Sequence, residues 1–393
     1  MIHNNKFFKD NFKYLLTLPY IIWLSIIFFY ISNSELIKAG ELNGLIKYGS
    51  DSYSYIRDAQ SFLKLDFSNL HTSKLSYIFL ITAVLFFKFS LNLIVLLQFI
   101  TTIISSFLLY LICKKLFSKW VGLICLFFFL TYLPIQLRNF YILTEILFIN
   151  LSIILIYLYF FRQNNKILIC LIFLFLLFLR PQSFLILLSL FFTIIIFKNF
   201  KVIYSLFVKF FLFFISFFLF IFFLNIGIQD YELINSLSKG VIWGYSFDTN
   251  SICKKECIKG FTDPNIYSND ILGLLIYVKD NFLILLKVSI FKILLFFTGW
   301  RPYYSSLHNI YLISFHLPIC ILFCIYFFKF KKLSSFETFS ISYITLSVLF
   351  ISFTFVDWSG RFIMYIIPFM MIYASKSLFD LFLYFSNRSS ISK

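Results

Sequence analysis

The chain has 393 residues, 61% hydrophobic and only 13% charged, with a mean hydropathy of +0.91. Those values exclude a soluble domain and point to a polytopic helical membrane protein. The net charge of +17 would fit a nucleic-acid partner only if the basic residues formed a patch. They are scattered between apolar segments, as positive-inside topology requires, and no nucleic-acid partner is expected.

Lys6, Lys9 and Lys13 precede an apolar stretch from Tyr14 to Ser32. It is long enough to cross about 30 Å of hydrocarbon. No small-x-small cleavage site follows, so it reads as an uncleaved signal anchor. Short basic clusters then recur: Lys114, Lys115 and Lys119; Arg162 and Lys166; Lys198 and Lys201; Lys329, Lys331 and Lys332; Arg388 and Lys393. Placing them on the cytoplasmic side predicts spans near 14–32, 91–112, 119–134, 145–161, 166–180, 181–197, 206–226, 307–328, 336–356 and 361–375. The expectation is an all-α bundle of about ten spans in a cell (inner) membrane, with both termini cytoplasmic. The acids test that orientation separately. Of the 17, only Asp10, Glu337 and Asp380 fall on the inner side.

Two apolar stretches fit poorly as spans. Residues 75–89 are short and end in Phe87-Lys88-Phe89, and residues 281–299 carry Lys287 and Lys292 mid-run. Both read as interfacial or re-entrant helices on the outer face. Two large external segments result, 33–90 and 227–306, within a single membrane domain over residues 1–393. Of the eleven glycines, only Gly122 lies clearly within a span.

Glu145 is the one acidic residue between Asp66 and Asp230. A carboxylate at the centre of a membrane helix costs about 2.5–3.5 kcal/mol on the insertion scale, so an isolated one sits at a helix end or serves a purpose. Thr144-Glu145-Ile146 opens an apolar run, which places Glu145 at an external boundary with Arg180, Asp357 and Arg361. In the first external loop, Gly49-Ser50 marks a turn and Asp51 reads as the N-cap of a short helix. Tyr55 and Ala59 follow on one face of that helix and are expected to pack toward the bilayer. Arg57 and Asp58 read as solvated loop charges.

The spacing Asp51-x-x-x-Tyr55-x-x-x-Ala59 resembles the start of GT-C glycosyltransferases of the family 39 kind, the protein mannosyltransferases and aminoarabinose transferases. The likeness continues in order. Tyr77 to Phe89 is similar to a juxtamembrane helix, and Arg138 to Glu145 lies where a second external acid is found. Arg180-Pro181 resembles an Arg-Pro that opens a span, and Arg361-Phe362 with Pro368 an Arg-Tyr…Pro pattern in a late span. Ser52 stands where the family often has Glu, Glu145 replaces the commoner Asp, and the usual His-Pro-Pro after the first loop is missing.

The resemblance implies a sugar transferred from a polyprenyl-phosphate donor to a glycan, lipid or protein acceptor at the extracytoplasmic face. In that chemistry Asp51 is the general base and Glu145 the second catalytic carboxylate, while Tyr55, Arg138, Arg180 and Arg361 are substrate-binding candidates. Glu145 could orient the acceptor, pair with an arginine or help hold a divalent ion. Two carboxylates without a further motif define no metal site, and no cofactor is expected. Arg180 and Arg361 also suit snorkelling anchors, and Asp357 suits a partner for Arg361. His71, His308 and His316 have no metal-ligand spacing, and Tyr303-Tyr304 reads as an aromatic belt.

Two rival readings are a lipid-linked O-antigen polymerase and a transporter or flippase. The first should carry arginines in the long loop, which has only Arg301 near its end. The second should carry broken helices and mid-membrane charges. Cys113, Cys125, Cys170, Cys320 and Cys324 read as apolar fillers. The spacing of Cys253 and Cys257 allows either a local disulfide or a helix turn without one.

Overall fold

The computed structural model describes residues 12–33, 50–66, 74–162, 165–196, 233–238, 240, 260–301, 304–328, 333–352 and 361–391. These residues are helical and include no β-strand. The chain divides into two compact units, Met1–Arg180 with Met370–Lys393, and Pro181–Phe369.

The first unit opens with α1, Phe12–Asn33, then α2, Ser50–Leu63, and α3, Leu75–Phe86. Next come α4, Asn92–Leu116, and α5, Lys119–Thr131. The α4–α5 hairpin is tight because Gly122 lies against Tyr110: a Cβ there would come within 2.8 Å of the Tyr110 carbonyl. Ser118 caps α5 by accepting from the Val121 amide. Tyr132 then leaves the helical region and Pro134 withholds an amide. The chain bends by 58° into a short helix α6, Leu133–Gln136, and a 3-10 turn, Leu137–Phe140. Trp23 of α1 donates to Gln136 at 2.8 Å, and Gln136 donates to the Phe129 carbonyl at 2.8 Å. Polar side chains thus satisfy a backbone group released by the break.

The unit continues with α7, Thr144–Phe161, and α8, Lys166–Leu179. Helix α7 packs along α4, and α8 packs against α7 and α3. Pro181 disfavours helical geometry in the residue before it, and Arg180 is extended.

The second unit contains α9, Ser183–Ile196; α10, Leu233–Ser238; α11, Ile271–Asp280; α12, Phe282–Thr298; α13, Ser306–Phe328; and α14, Ser335–Ser352. The long helix α15, Arg361–Ile391, starts here and continues into the first unit. Helix α14 packs against α9 and α12. Ser334 and Glu337 form a capping box at its start: the Ser334 amide donates to Glu337 at 2.6 Å and the Glu337 amide to the Ser334 hydroxyl at 3.3 Å. Tyr326 of α13 donates to the same carboxylate. Glu337 is therefore a structural acid. Gly299 ends α12 with φ of +70°, and a Cβ there would fall 2.3 Å from His316 Nδ1. Arg301 caps the same end, donating to the Leu295 and Trp300 carbonyls at 3.1 and 2.7 Å.

Among the described residues, six helices are long and apolar enough to cross a membrane: α1, α4, α7, α13, α14 and α15. The number rises to eight if the two bent pairs, α5 with the segment to Phe140 and α11 with α12, each count as one span. Nine of the sequence-predicted spans coincide with a helix, and 206–226 lies outside the described residues. Helices α8 and α9 have only 14 residues each, about 21 Å of rise, so length alone does not make them spans. The basic residues at 1–11, 198, 201, 329, 331 and 332, the disulfide candidates Cys253 and Cys257, and Asp357, His71 and Tyr303 also lie outside the described residues. Cys113 and Cys125 are buried fillers, whereas Cys170 and Cys324 are exposed.

Two measurements check this packing. Gly299→Ala should destabilise by roughly 1–3 kcal/mol through left-handed strain alone, with the His316 clash added, read as a lower thermal midpoint in detergent. Lys292 lies on the buried stripe of α12 with Leu285, Val288 and Phe296 and has no hydrogen-bond or ion-pair partner among the described residues. Lys292→Met should therefore raise the midpoint; a lower one would mean the ammonium is paired.

Candidate functional site

The site is built from five segments of the first unit: α2, α3, α4, the stretch that leads into and opens α7, and the end of α8. Helix α2 begins at Ser50, so Asp51 lies inside its first turn, not at the N-cap. A carboxylate there still meets the positive end of the helix dipole. Ser52, fully buried, donates to the Ile142 carbonyl at 3.0 Å. That bond ties the start of α2 to the segment leading into α7. Asp51, its neighbour, is half-buried.

Along the same helix Tyr55, Asp58 and Ala59 are buried. This corrects two expectations. Tyr55 and Ala59 face protein, with the Tyr55 ring edge-on to Tyr77 of α3 at 5.6 Å. Asp58 is only 2% exposed, not a solvated loop charge, because helical periodicity places it on the face that packs on α3. Its neighbour Arg57 does stay in the open, 3.5 Å from the Asp58 carboxylate.

Tyr77 is wholly buried, and its hydroxyl points to Gln98 Oε1 at 3.4 Å. Burial first, then the Glu145 carboxylate and Tyr55, hold its phenol well above the ordinary value, so it is a neutral donor.

Gln98 belongs to a polar stripe on α4 formed by Gln98, Thr101, Thr102 and Ser105. Its amide donates to the Asn139 and Tyr141 carbonyls at 2.8 and 3.0 Å. Thr102 donates to the Asn139 side chain at 2.9 Å. Asn150 of α7 donates to Thr102 and Thr101 at 2.9 and 3.1 Å and accepts from Ser105 at 2.7 Å. The segment before α7 is thereby tied to α4 by Gln98 and Thr102, and Asn150 ties α7 to the same stripe. Arg138 lies within that segment, half-buried in the 3-10 turn.

Thr144 and Glu145 open α7, and both are buried, Glu145 to 1% exposure. Arg180, at the end of α8, donates through Nη1 to Glu145 Oε1 at 3.0 Å and to the Thr144 hydroxyl at 3.1 Å. Of the roles open to Glu145, pairing with an arginine is the one the geometry realises. Arg180 is an inward-facing ion-pair partner, not a snorkelling anchor.

Asp51, Tyr55, Arg138, Glu145 and Arg180 therefore belong to one unit and to segments that touch. Arg361 is the first residue of α15 and belongs to the second unit, half-buried. Sequence reasoning missed Gln98, Asn139 and Asn150, and it gave Tyr77 and Thr144 no contact within the site. The repeat of polar residues at helical spacing along α4 and the lone Asn150 in an apolar run were the available signals. Among the described residues no three His, Cys, Asp or Glu side chains converge. The chain matches no family model, no curated protein and no solved structure.

The arrangement offers a half-buried carboxylate, neutral phenols and a guanidinium whose charge is fixed by a buried partner. Breaking such a pair from one side costs about 3–5 kcal/mol, whereas replacing both partners by apolar groups costs far less. Glu145→Gln and Arg180→Met should each lower stability by about that amount, and the double variant by clearly less than the sum. Unfolding midpoints in detergent read the cycle; additive losses would mean the pair is not coupled.

Proposed function

We propose that the protein is a membrane glycosyltransferase of the GT-C kind, moving a sugar from a polyprenyl-phosphate donor to an acceptor at the extracytoplasmic face. The observation that carries the reading is that motifs matched in order along the sequence (Asp51, Tyr55, Tyr77, Glu145, Arg180) fall on segments that pack together in one unit, with α2 held to the approach to α7. Proximity in the sequence does not require that, because Ser52 and Ile142 are 90 positions apart.

In this reading Asp51 accepts the proton of the acceptor hydroxyl as the acceptor oxygen bonds to the anomeric carbon. The bond from that carbon to the lipid phosphate oxygen breaks, and the lipid phosphate leaves with the electron pair. The displacement passes through an oxocarbenium-like state and inverts the anomeric centre. Protonated Asp51 then returns its proton to water. Arg180, oriented by Glu145 and Thr144, supplies positive charge toward the departing phosphate. Tyr55, packed on Tyr77, braces α2, half-buried Arg138 is the further cation offered to substrate, and Arg361 enters only through its sequence motif.

Transport is a second reading, favoured by the two bent helix pairs and by the polar stripe on α4. Against it, Gln98, Thr102, Ser105 and Asn150 are buried and bonded to one another. They act as a clamp more than as the lining of a path.

Mass spectrometry of glycans and lipid-linked sugars in the native host, with the gene deleted and then restored, separates the readings. Wild type should restore one sugar, and Asp51→Asn should insert normally but lose about 10²–10⁴-fold of the transfer. An active Asp51→Asn protein would sink the assignment. A polymer shortened to single units would favour the polymerase, and unchanged sugars the transporter. The orientation has its own check: a cysteine replacing exposed Tyr53 should react with impermeant maleimide from outside, and one replacing exposed Asn165 should not.

A further inference from the structure

Helix α11 is apolar on two faces. Leu274 and Tyr277 turn inward and join Ile234, Leu237 and Leu285 in a small core. Leu272, Leu275 and Ile276 turn outward and are 65%, 61% and 45% exposed. Exposed Lys279 follows at the same helical phase. Such a face on an ordered helix is a liability in water and needs an occupant.

The outward face is not free to rotate inward. Gly273 lies so close to the lead-in loop that a Cβ would fall 1.8 Å from the Ser268 carbonyl. Asp270 caps the helix by accepting from the Gly273 amide at 2.7 Å, and Ser268 donates to the same carboxylate at 2.7 Å. At the other end Tyr267 donates to Asp280 at 2.9 Å, and Asn281 is tied to Thr262 at 2.7 Å.

The bend to α12 indicates what covers the face. The two helix axes meet at 95°. Helix α12 carries its own exposed apolar side just past the corner, with Phe282, Leu283 and Leu286 58%, 78% and 47% exposed. Its 17 residues rise about 25 Å, whereas the 10 of α11 rise only about 15 Å, half of a bilayer core. Were α11 the penetrating helix, Asp270 or Asp280 would be carried into hydrocarbon, at about 2.5–3.5 kcal/mol. With α12 penetrating, the 95° bend lays α11 in the plane of the interface and keeps both carboxylates at the water boundary. Exposed Lys287, one and a half turns beyond the bend, can snorkel back to the same level.

We propose that α11 is a membrane-surface helix whose occupant is the lipid bilayer: Leu272, Leu275 and Ile276 sink into the headgroup–acyl boundary and Lys279 meets lipid phosphates. The helix thereby seats the small core of Ile234, Leu237, Leu274, Tyr277 and Leu285 on the lipid. The inference does not depend on the transferase reading.

The test uses the full chain in phosphatidylcholine nanodiscs, with and without phosphatidylglycerol, spin-labelled singly at Leu272, Leu275, Ile276 or, as a water-side control, exposed Asn269. Power-saturation measurements should give an oxygen-to-nickel-chelate accessibility ratio several-fold higher at the three apolar positions than at Asn269. Phosphatidylglycerol should raise the ratio further, and Lys279→Gln should abolish that increment. High nickel accessibility at Leu275 would place the helix in water. Low accessibility to both reagents would mean that a second copy or another protein covers it. Either result overturns the proposal.

Discussion

The first unit turns on one buried ion pair. Two charges taken from water cost several kcal/mol each, and their attraction returns that cost only where geometry is good and further hydrogen bonds are made. Arg180 meets the condition by bonding both Glu145 and Thr144. Pro181 contributes by ending α8 one residue before the arginine, so the guanidinium leaves from an extended residue. If Arg180 continued the helix, its side chain would follow the helical phase. The pair joins α7 and α8 at one end, and the site depends on that junction.

A second constraint acts on the other side of Glu145. The segment between α5 and α7 holds only one turn of α-helix and a 3-10 turn, so several of its carbonyls need donors in a setting poor in water. Gln98 of α4 meets that need at the Asn139 and Tyr141 carbonyls, while Thr102 holds the Asn139 side chain and is itself bonded by Asn150 of α7. Ser52 takes one further carbonyl, at Ile142, and so draws α2 to the same place. Asp51 is thus positioned by a neighbour that satisfies the backbone. Backbone satisfaction and site assembly are one event here, since the groups that make the irregular segment tolerable also hold the carboxylate-bearing helices to it.

Much of the fold was legible because hydropathy is a strong signal at span length. Helices α1, α4, α7, α13 and α14 begin or end within a few residues of where the apolar runs do. Within the site, Glu145 and Arg180 stood out as charges at the edges of apolar runs, and Asp51 as an acid just after a Gly-Ser turn. Asp58 misled because its neighbour Arg57 is exposed, and only the phase of α2 against α3 separates them. Tyr77 and Gln98 were harder. One sits in an apolar helix rich in similar residues, and the other is uncharged, so neither disturbs the hydropathy on which the reading leaned. The last span ran longer than expected: α15 extends past residue 375 to Ile391, with Lys376 paired to Asp380 one turn on at 2.5 Å.

The bent pairs explain why span counting by hydropathy stalls in this chain. At Tyr132–Pro134 the apolar composition continues while the helix axis turns by 58°, whereas at the second break, a turn of 95°, Lys279-Asp280-Asn281 interrupts it. Each turn is made tolerable by local polar groups: Trp23 and Gln136 at the first, Asn281 with Thr262 at the second. A sliding average over an apolar run registers none of these, because one Asn or Gln hardly moves the mean. The same few residues decide whether a run crosses, turns back or lies flat. In an apolar chain of this kind, the isolated uncharged polar residue therefore carries architectural information that average hydropathy discards.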